Sequence, residues 1–247
     1  MGERGLMVAF ELAVQDAHGL AVAARLPVDR IELCSALPLG GVTPSLGFVE
    51  AAVATAGMPP VHALVRPRPG GFEYEAAELS VILSDVRHVL SAGAAGVVVG
   101  GLRAGKVDSS LVAAVVEAAD GADVTFHRAF DNLADPYAGI DELVRLGVRR
   151  ILTSAGAAHV ADALPALAAL VESAAGRIEI MAGGGVRPDV VEKIVETGVP
   201  AVHASAKRVV LDAVGVSLGT ADGAGRETTD EAEALRIIEA LRRPALS

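Results

Sequence analysis

The sequence is short of cysteine and of aromatic residues. Cys34 is the only cysteine, there is no tryptophan, and Phe, Trp and Tyr together account for 3% of the chain. One cysteine excludes a disulfide within the chain and a zinc site that needs two or more thiolates from one chain. Because hydrophobic residues still make up 52% of the sequence, the core must consist mainly of Ala, Val, Leu and Ile.

The sequence also lacks a long apolar run and an excess of positive charge. No stretch approaches the ~20 apolar residues that cross a bilayer, and Glu11 ends the apolar N-terminal segment too early for a signal peptide. With 21 basic and 31 acidic side chains, the net charge of −10 disfavours nonspecific binding to nucleic acid or to an anionic membrane. We therefore expect a cytoplasmic protein that binds neither nucleic acid nor membrane. The net charge is compatible with a small ion or a small anionic molecule as the partner, bound in a local positive pocket.

Short β-rich runs alternate with longer helical patterns from one end of the chain to the other. The predicted strands cover residues 6–12, 30–34, 61–66, 96–100, 124–128, 150–154, 177–182 and 201–205. The predicted helices cover residues 74–90, 109–119, 136–146, 160–173, 188–196 and 230–242. The segment 207–229, which is rich in small residues, is predicted to be a long loop before the last helix.

The spacing of these elements predicts one closed barrel. Eight βα units follow each other at intervals of about thirty residues without a linker, which is typical of a (β/α)8 TIM barrel that occupies residues 1–247 as a single domain. Gly93, Gly147 and Gly198 stand where helices are expected to end in the left-handed conformation. A doubly wound open sheet is the alternative, but no GxGxxG motif follows the first strand.

Side chains alternate between the two faces of a strand. In the second predicted strand, Ile31 and Leu33 share an apolar face, whereas Glu32 and Cys34 share the other face. Apolar faces are suited to packing against the outer helices, so the polar faces must point into the barrel. By this argument the interior contains Glu11, Glu32, His62, Arg66, Thr125, His127, His203 and Ser205.

A buried carboxylate is costly unless it is paired and hydrogen-bonded. The two inward glutamates therefore need partners, and the candidates are His62, Arg66, His127 and Arg128. The same region has two interpretations: a structural network that satisfies itself, or a catalytic site made of Glu11, Glu32, His62, Arg66 and His127. His127 is the strongest candidate for proton transfer, because an unperturbed imidazole titrates near neutrality.

Three consecutive glycines, Gly183, Gly184 and Gly185, follow the seventh predicted strand and precede a helix that is expected to begin at Pro188. Free backbone N–H groups beside the start of a helix bind phosphate, and the loops after strands seven and eight are the usual phosphate site of such barrels. With basic and hydroxyl side chains near the same end, they form a predicted anion site that consists of Arg66, Arg128, Gly183, Gly184, Gly185, Ser205 and Lys207.

Cys34 ends the second predicted strand and has two interpretations. A lone inward cysteine is most often a small core hydrophobe, and the other interpretation is a weak metal ligand near the mouth of the barrel. No HxH or HExxH spacing in the sequence indicates a preformed metal site.

Several segments of the sequence resemble the CutC family, and they follow each other in the family's order along almost the whole chain. They are residues 29–34, 40–46, 65–68 with 70–72, 125–131, 152–154, 180–185 and 202–205. The resemblance implies a cytoplasmic (β/α)8 barrel that forms homo-oligomers and is connected with copper homeostasis. It also implies Cu(I) as a cofactor, but only where cysteine ligands are present.

The sequence departs from the family at the copper ligands. Family members often carry a cysteine two residues after the glutamate of the first strand, and here that position is Ala13. Cu(I) prefers soft ligands, so Cys34, supplemented by His62, His127 or Met181, is expected to hold Cu(I) weakly. Two functions therefore stay open: a CutC-like copper homeostasis protein with weak Cu(I) binding, and a barrel enzyme that acts on a small anionic or phosphorylated metabolite.

Overall fold

The computed structural model describes residues 8–211 and 225–242, in which the chain forms twelve strands and eight α-helices. The strands are β1 (Ala9–Val14), β2 (Arg30–Leu33), β3 (Val61–Leu64), β4 (Gly96–Val99), β5 (Leu102–Arg103), β6 (Lys106–Val107), β7 (Asp123–Phe126), β8 (Arg150–Thr153), β9 (Glu179–Ala182), β10 (Ala201–Ala204), β11 (Lys207–Leu211) and β12 (Gly225–Thr229). The helices are α1 (Ala17–Ala23), α2 (Leu46–Ala54), α3 (Ala76–Ser91), α4 (Ser109–Ala119), α5 (Pro136–Arg145), α6 (Leu164–Ala174), α7 (Val191–Val195) and α8 (Glu231–Leu241). Each of the described helices is too short or too polar to cross a bilayer.

Eight of the strands close into a parallel barrel, as the alternation of elements predicts. Their order around the barrel is β1, β10, β9, β8, β7, β4, β3 and β2, and β2 pairs with β1 again. The pairing of β1 with β10, in which Glu11 lies opposite His203, closes the barrel. The prediction of a (β/α)8 barrel is therefore confirmed, and the alternative of an open sheet is wrong.

The outer faces of the strands pack against the helices. Leu33, Phe126 and Ile151 have no exposed surface and lie in one core cluster with Ile82 of α3. Burial of each such side chain contributes roughly 1.5–3 kcal/mol, so a chain with few aromatic rings still builds a large core. In the described part of the chain, the inner faces carry the polar residues and two small apolar clusters, Cys34 with Leu64 and Val98, and Leu152 with Met181 and Ala201.

Local signals determine where several helices begin and end. Gly93, Gly147 and Gly198 have φ angles of 98°, 82° and 83°, so the predicted left-handed helix ends are confirmed. At the start of α3, Glu75 and Glu78 bond to each other's backbone N–H groups as a capping box. These boundaries depend on neighbouring residues of the chain and not on the rest of the fold.

The helices also differ from the sequence prediction in three places. No helix was predicted at α1 or α2, which have only 7 and 9 residues, and helices of that length depend on tertiary packing. In α1, a Cβ at Gly19 would lie 2.6 Å from Thr229 Oγ1, which shows how closely β12 approaches this helix. α7 begins at Val191 and not at Pro188, because residues 188–190 form a turn first.

Two predicted segments change at the carboxyl end of the barrel. β7 ends at Phe126, and His127 becomes the cap of a short 3₁₀ helix at Arg128–Asn132. The segment 207–229, predicted to be a loop, begins and ends as the antiparallel pair of β11 and β12. Two parts of these predictions lie outside the described residues, namely residues 6–7 of the first strand and residues 212–224.

The missing side chain of Gly96 makes room inside the barrel. A Cβ there would lie 2.6 Å from the carbonyl oxygen of Asp123 and 3.2 Å from Cε1 of His62. We expect Gly96→Ala to lower the free energy of unfolding by about 1–3 kcal/mol, measured by urea denaturation. Gly47→Ala is the control, since a Cβ at Gly47 in α2 meets nothing within 4 Å. Equal stabilities of the two variants would contradict the close packing around Gly96.

Candidate functional site

A cavity of about 470 Å³ opens at the end of the barrel where the strands finish. Its walls are the last residues of the strands and the loops that follow them, among them Glu32, Arg66, Phe72, His127, Arg128 and His203. A cavity of about 550 Å³ lies at the opposite end, beside the starts of β7, β8 and β9. Chemistry in (β/α)8 barrels occurs at the carboxyl ends of the strands, so the first cavity is the candidate site.

A chain of charged side chains crosses the barrel interior one layer beneath this cavity. Glu11 is fully buried; its Oε2 accepts a hydrogen bond from Arg30 Nε at 2.7 Å, and its Oε1 lies 2.7 Å from His203 Nδ1. Arg30 Nη2 also donates to Glu179 at 2.9 Å, and Glu179 accepts from Arg150 Nε at 2.5 Å. The interior charges thus compensate each other from strand to strand.

The partners of Glu11 differ from those predicted from the sequence. Arg30 and His203 take the places that were expected for His62, Arg66, His127 or Arg128. A signal for Arg30 was present, because it stands two residues before Glu32 and therefore lies on the same face of β2. Arg150 and Glu179 likewise stand on the inward faces of their strands, and the alternation of side chains along β8 and β9 is the signal that identifies them.

Glu11 and His203 stabilise each other's charged forms. Burial raises the pKa of Glu11, but the hydrogen bond and charge of His203, together with the charge of Arg30, outweigh it and lower this pKa to about 2. Burial lowers the pKa of His203, yet the hydrogen bond to Glu11 and the charges of Glu32 and Glu11 raise it above its ordinary value overall. Because Nδ1 of His203 faces Glu11, its Nε2 atom is the ring nitrogen left for the cavity.

Glu32 has an unpaired carboxylate oxygen in the same cavity. The residue is 6% exposed, and its Oε2 atom has no hydrogen-bond partner among the described residues. A Glu32 oxygen lies within 4.8 Å of a ring nitrogen of His203. Burial raises the pKa of Glu32, His203 lowers it and the charge of Glu11 raises it, to about 7 overall. Glu32 and His203 are therefore two titratable groups with perturbed pKa values in one cavity.

The other two predicted histidines are uncharged at neutral pH. Burial lowers the pKa of His62, and burial together with the charge of Arg66 lowers the pKa of His127 to about 3. The Nδ1 atom of His127 accepts the Ala129 N–H at 3.1 Å, so the ring proton is on Nε2. So low a pKa makes His127 a weak base near neutrality, and the assignment of proton transfer to His127 stays a prediction.

Arg66 holds the loops at one rim of the cavity. Its Nη1 donates to the carbonyl oxygens of Leu39 and Gly41 at 3.2 and 2.7 Å, and its Nη2 donates to that of Gly70 at 2.7 Å. The guanidinium carbon lies 5.3 Å from the centre of the Phe72 ring. The Nε atom is buried and has no partner among the described residues. Arg66 therefore has a structural role, and its Nε–H is a donor that none of these bonds uses.

Asp131 organises the opposite rim, although the sequence analysis did not single it out. It accepts hydrogen bonds from Thr153 Oγ1 at 2.5 Å, from the Ser154 N–H at 3.0 Å and from Ser154 Oγ at 2.8 Å. Arg128 Nε donates to Asp131 at 2.8 Å, and Arg128 Nη2 donates to Ser154 Oγ at 2.6 Å. The charge of Arg128 is thus compensated within the protein.

The structure brings only part of the predicted anion site, Arg128, to the glycine loop. The Gly183 N–H takes part in the barrel by donating to the carbonyl oxygen of β8 at 2.9 Å. A Cβ at Gly184 would lie 3.1 Å from Arg128, and a Cβ at Gly185 would lie 2.5 Å from His159. Arg128 and His159 therefore lie against the loop, and α7 begins well after it.

The last two members of the predicted anion site also lie elsewhere. Lys207 Nζ donates to Glu227 across the β11–β12 pair at 2.6 Å, and neither Lys207 nor Ser205 lines the cavity. The predicted site residues that do line the cavity are Glu32, Arg66, His127 and Arg128. Glu11 and His62 lie in the layer beneath it, where Glu11 bonds to His203 of the cavity wall.

Cys34 behaves as a small core residue. It is fully buried beside Leu64 and Val98, with Sγ 3.7 Å from the carbonyl oxygen of Val14. Burial and the neighbouring Glu32 raise the pKa of the thiol well above its ordinary value. The thiolate is the form that binds metals, so this environment disfavours a copper ligand.

The other donors do not complete a Cu(I) site around Cys34. Met181 Sδ accepts a hydrogen bond from Arg30 Nη2 at 3.0 Å, which places a positive charge beside the thioether. Ala13, at the position where the resemblance expects a second cysteine, offers only a methyl group. The residues present therefore do not fit a tight Cu(I) site, which needs two or more soft donors.

One group of harder ligands lies close together in the described part of the chain. It consists of Glu11, Glu32 and His203, whose ligand atoms are within 4.8 Å of one another. Both oxygens of Glu11 are already bonded, to Arg30 and to His203. The carboxylate of Glu32 and one nitrogen of His203 remain, which are fewer than the three or four protein ligands of a dedicated zinc site.

The fold and the cavity together define a (β/α)8 barrel protein with a cavity lined by polar and titratable groups at the carboxyl ends of its strands. Comparison with known proteins identifies the family. The sequence model of the CutC family matches residues 8–208, and the chain belongs to the CutC family.

Relatives of the chain match it over most of their own length. The family protein CutC of Agrobacterium fabrum is 43% identical over 227 residues, which cover 90% of this chain and 89% of that relative. The family protein CutC of Glaesserella parasuis is 43% identical over 199 residues, or 80% of this chain and 82% of the relative. A solved structure of a Streptococcus agalactiae protein named for copper homeostasis, CutC, is 32% identical with a TM-score of 0.76, and covers 81% of this chain and 99% of that one.

The raised pKa of Glu32 has a measurable effect on stability. Between pH 4.5 and about 7 the native protein keeps a proton on Glu32 that the unfolded chain has released, so the free energy of unfolding should fall as the pH rises through this window. The change is on the order of 3 kcal/mol. We expect Glu32→Gln to lose this part of the pH dependence in urea denaturation.

Two comparisons complete this test. His203, whose pKa is also raised, should leave a smaller decrease of the same sign in Glu32→Gln. Glu50→Gln removes an exposed carboxylate of α2 and should follow the wild-type curve. Parallel curves for the wild type and Glu32→Gln would show that Glu32 titrates normally.

Proposed function

We propose that this CutC-family barrel binds a small molecule in the cavity and transfers a proton to or from it through Glu32. The supporting observation is the buried, unpaired Oε2 atom of Glu32, which lies in the same cavity as His203. Leaving such an atom without a partner costs about 1–3 kcal/mol, and a ligand that bonds to it removes this cost. A pKa of about 7 suits a general acid or base at physiological pH.

The neighbours of Glu32 have separate roles in this proposal. Glu11 holds His203 at Nδ1, which positions Nε2 as a second hydrogen-bonding group for the ligand. Arg30 binds the other oxygen of Glu11 and keeps that carboxylate ionised. Leu64 and Leu152 form apolar parts of the cavity wall, and the exclusion of water by such walls strengthens the polar contacts inside.

Deuterium uptake from solvent tests the proposal. The purified protein is incubated in D₂O with a defined pool of small carbonyl compounds, carboxylic acids and their phosphate esters, and mass spectrometry follows the label. We expect uptake into a small number of compounds. In Glu32→Gln the rate of uptake should fall by a factor of about 10² or more, because a positioned acid–base group contributes at least that factor.

The control for this assay is Glu50→Gln, which removes a carboxylate from the exposed surface of α2 and should match the wild type. No uptake by the wild-type protein would contradict the proposal. Full uptake by Glu32→Gln would also contradict it, since the proton would then move through another group.

A second candidate function is copper homeostasis, which the name of the Streptococcus agalactiae relative favours. The residues of this chain offer Cu(I) one thiol, at Cys34. We therefore propose at most one Cu(I) per chain, held weakly, so that any role in copper homeostasis does not depend on a tight site. The cytoplasmic location and the homo-oligomer, both implied by the resemblance, stay predictions.

Anaerobic competition with a chromogenic Cu(I) chelator measures this affinity. We expect the chelator to remove Cu(I) from the wild-type protein, because a single buried thiol is a poor Cu(I) site, and the weak residual binding to be lost in Cys34→Ser. Cys34→Ala keeps the position apolar and controls for a disturbed core. Tight stoichiometric binding that disappears in both variants would contradict the weak-site proposal and assign copper to Cys34.

A further inference from the structure

Arg66 is a buried cation without a carboxylate partner in the part of the chain that the structure describes. Among the described residues, three arginines are almost fully buried, and two of them, Arg30 and Arg150, form ion pairs with interior glutamates. Arg66 donates to backbone carbonyl oxygens and makes no ion pair with any described residue. The Tyr74 hydroxyl interacts with Arg66 as a hydrogen-bonding group, but burial raises its pKa, so it stays neutral and adds no negative charge. Burying a guanidinium costs several kcal/mol unless an opposite charge compensates it.

His127 supplies a second unpaired donor close to Arg66. Its Nδ1 accepts the Ala129 N–H, so the proton is on Nε2, and that atom is buried without a partner among the described residues. The Phe72 ring contacts both side chains, with its centre 5.0 Å from that of the His127 ring and 5.3 Å from Arg66 Cζ. Both residues line the cavity. One region of the wall thus carries two nitrogen atoms, Arg66 Nε and His127 Nε2, without a partner among the described residues, and a positive charge that no described carboxylate compensates.

We propose that this region binds an oxyanion of the ligand, a carboxylate or a phosphate group, through Arg66 Nε and His127 Nε2. The inference rests on the proposed function, because it assigns the charged end of the molecule in the cavity that contains Glu32. An oxyanion satisfies both donors with charge-assisted hydrogen bonds, and it supplies the negative charge that Arg66 lacks within the protein. The ligand is therefore a small organic acid or phosphate ester.

This site lies after β3 and β7, away from the glycine loop where the sequence predicted an anion. The difference follows from charge compensation. Asp131 already neutralises Arg128 beside the glycine loop, whereas no described carboxylate pairs with Arg66. Arg66 also differs from Arg68 of the same turn, which pairs with Glu78 at the surface.

Binding of two probe anions, inorganic phosphate and acetate, tests the site without any turnover. Each is titrated against sodium chloride at matched ionic strength, with thermal unfolding and the NMR signals of the His127 ring nitrogens as readouts. We expect at least one anion to raise the Tm of the wild-type protein above that in chloride by mass action and to shift the Nε2 signal. The anion that does so separates a phosphate ester from a carboxylic acid as the ligand class.

His127→Asn is the most informative variant. The oxygen of its shorter side chain can still accept the Ala129 N–H, while the Nε2 donor is lost. We expect the apparent Kd for the anion to rise at least tenfold, which corresponds to about 1.4 kcal/mol. Arg66→Gln should abolish binding, and Arg68→Gln, which removes an exposed arginine of the same turn, should bind like the wild type.

The outcomes separate this inference from the proposed function. The inference would be overturned if phosphate, acetate and chloride had equal effects on the Tm of the wild-type protein. It would also be overturned if His127→Asn bound the anion with the affinity of the wild type. If Arg66→Gln does not fold, His127→Asn alone decides between these results. Anion binding without deuterium uptake contradicts the proposed function only, whereas deuterium uptake without anion binding contradicts the oxyanion site only.

Discussion

The carboxylate of Glu11 has no exposed surface and yet is ionised. A buried charge costs several kcal/mol unless hydrogen-bonded partners of opposite charge compensate it, and here they come from the strands on both sides, Arg30 from β2 and His203 from β10. Because the pairing of β1 with β10 closes the barrel, this charge is fully compensated only in the closed form. The ion pairs of Glu11 therefore couple the barrel topology to the electrostatics of its interior.

The same interaction separates the proton affinities of two neighbouring glutamates. Glu11 is ionised because Arg30 and His203 bond to it, and its negative charge disfavours a second one at Glu32. Two carboxylates in one interior thus become a permanent charge and a group that titrates near neutrality, a division that depends on their partners and not on the residue type. His203 links the two, since it bonds to Glu11 and lines the cavity with Glu32.

Family membership and the chemistry of the cavity point to different ligands. Membership connects the chain with a relative named for copper homeostasis, and Cu(I) is best held by thiolates and thioethers. Cys34 instead lies among aliphatic side chains with a raised pKa, and Met181 faces a guanidinium. The cavity above them is lined by carboxylate, imidazole and guanidinium groups, which recognise polar organic molecules through hydrogen bonds and charge.

Local pattern was sufficient to predict the barrel and the direction of its side chains. Alternation placed Glu32 inside because side-chain direction along a strand has a period of two, whichever strands become its neighbours. Tertiary contacts decided the short helices α1 and α2 and the partners of the charged groups. Arg30 meets Glu179 across 149 positions of the chain, and Lys207 bonds to Glu227 because β11 and β12 pair. Such pairs depend on which strands become neighbours and on the width of the barrel. Neither feature can be inferred from the residues next to Arg30 or Lys207 in the sequence.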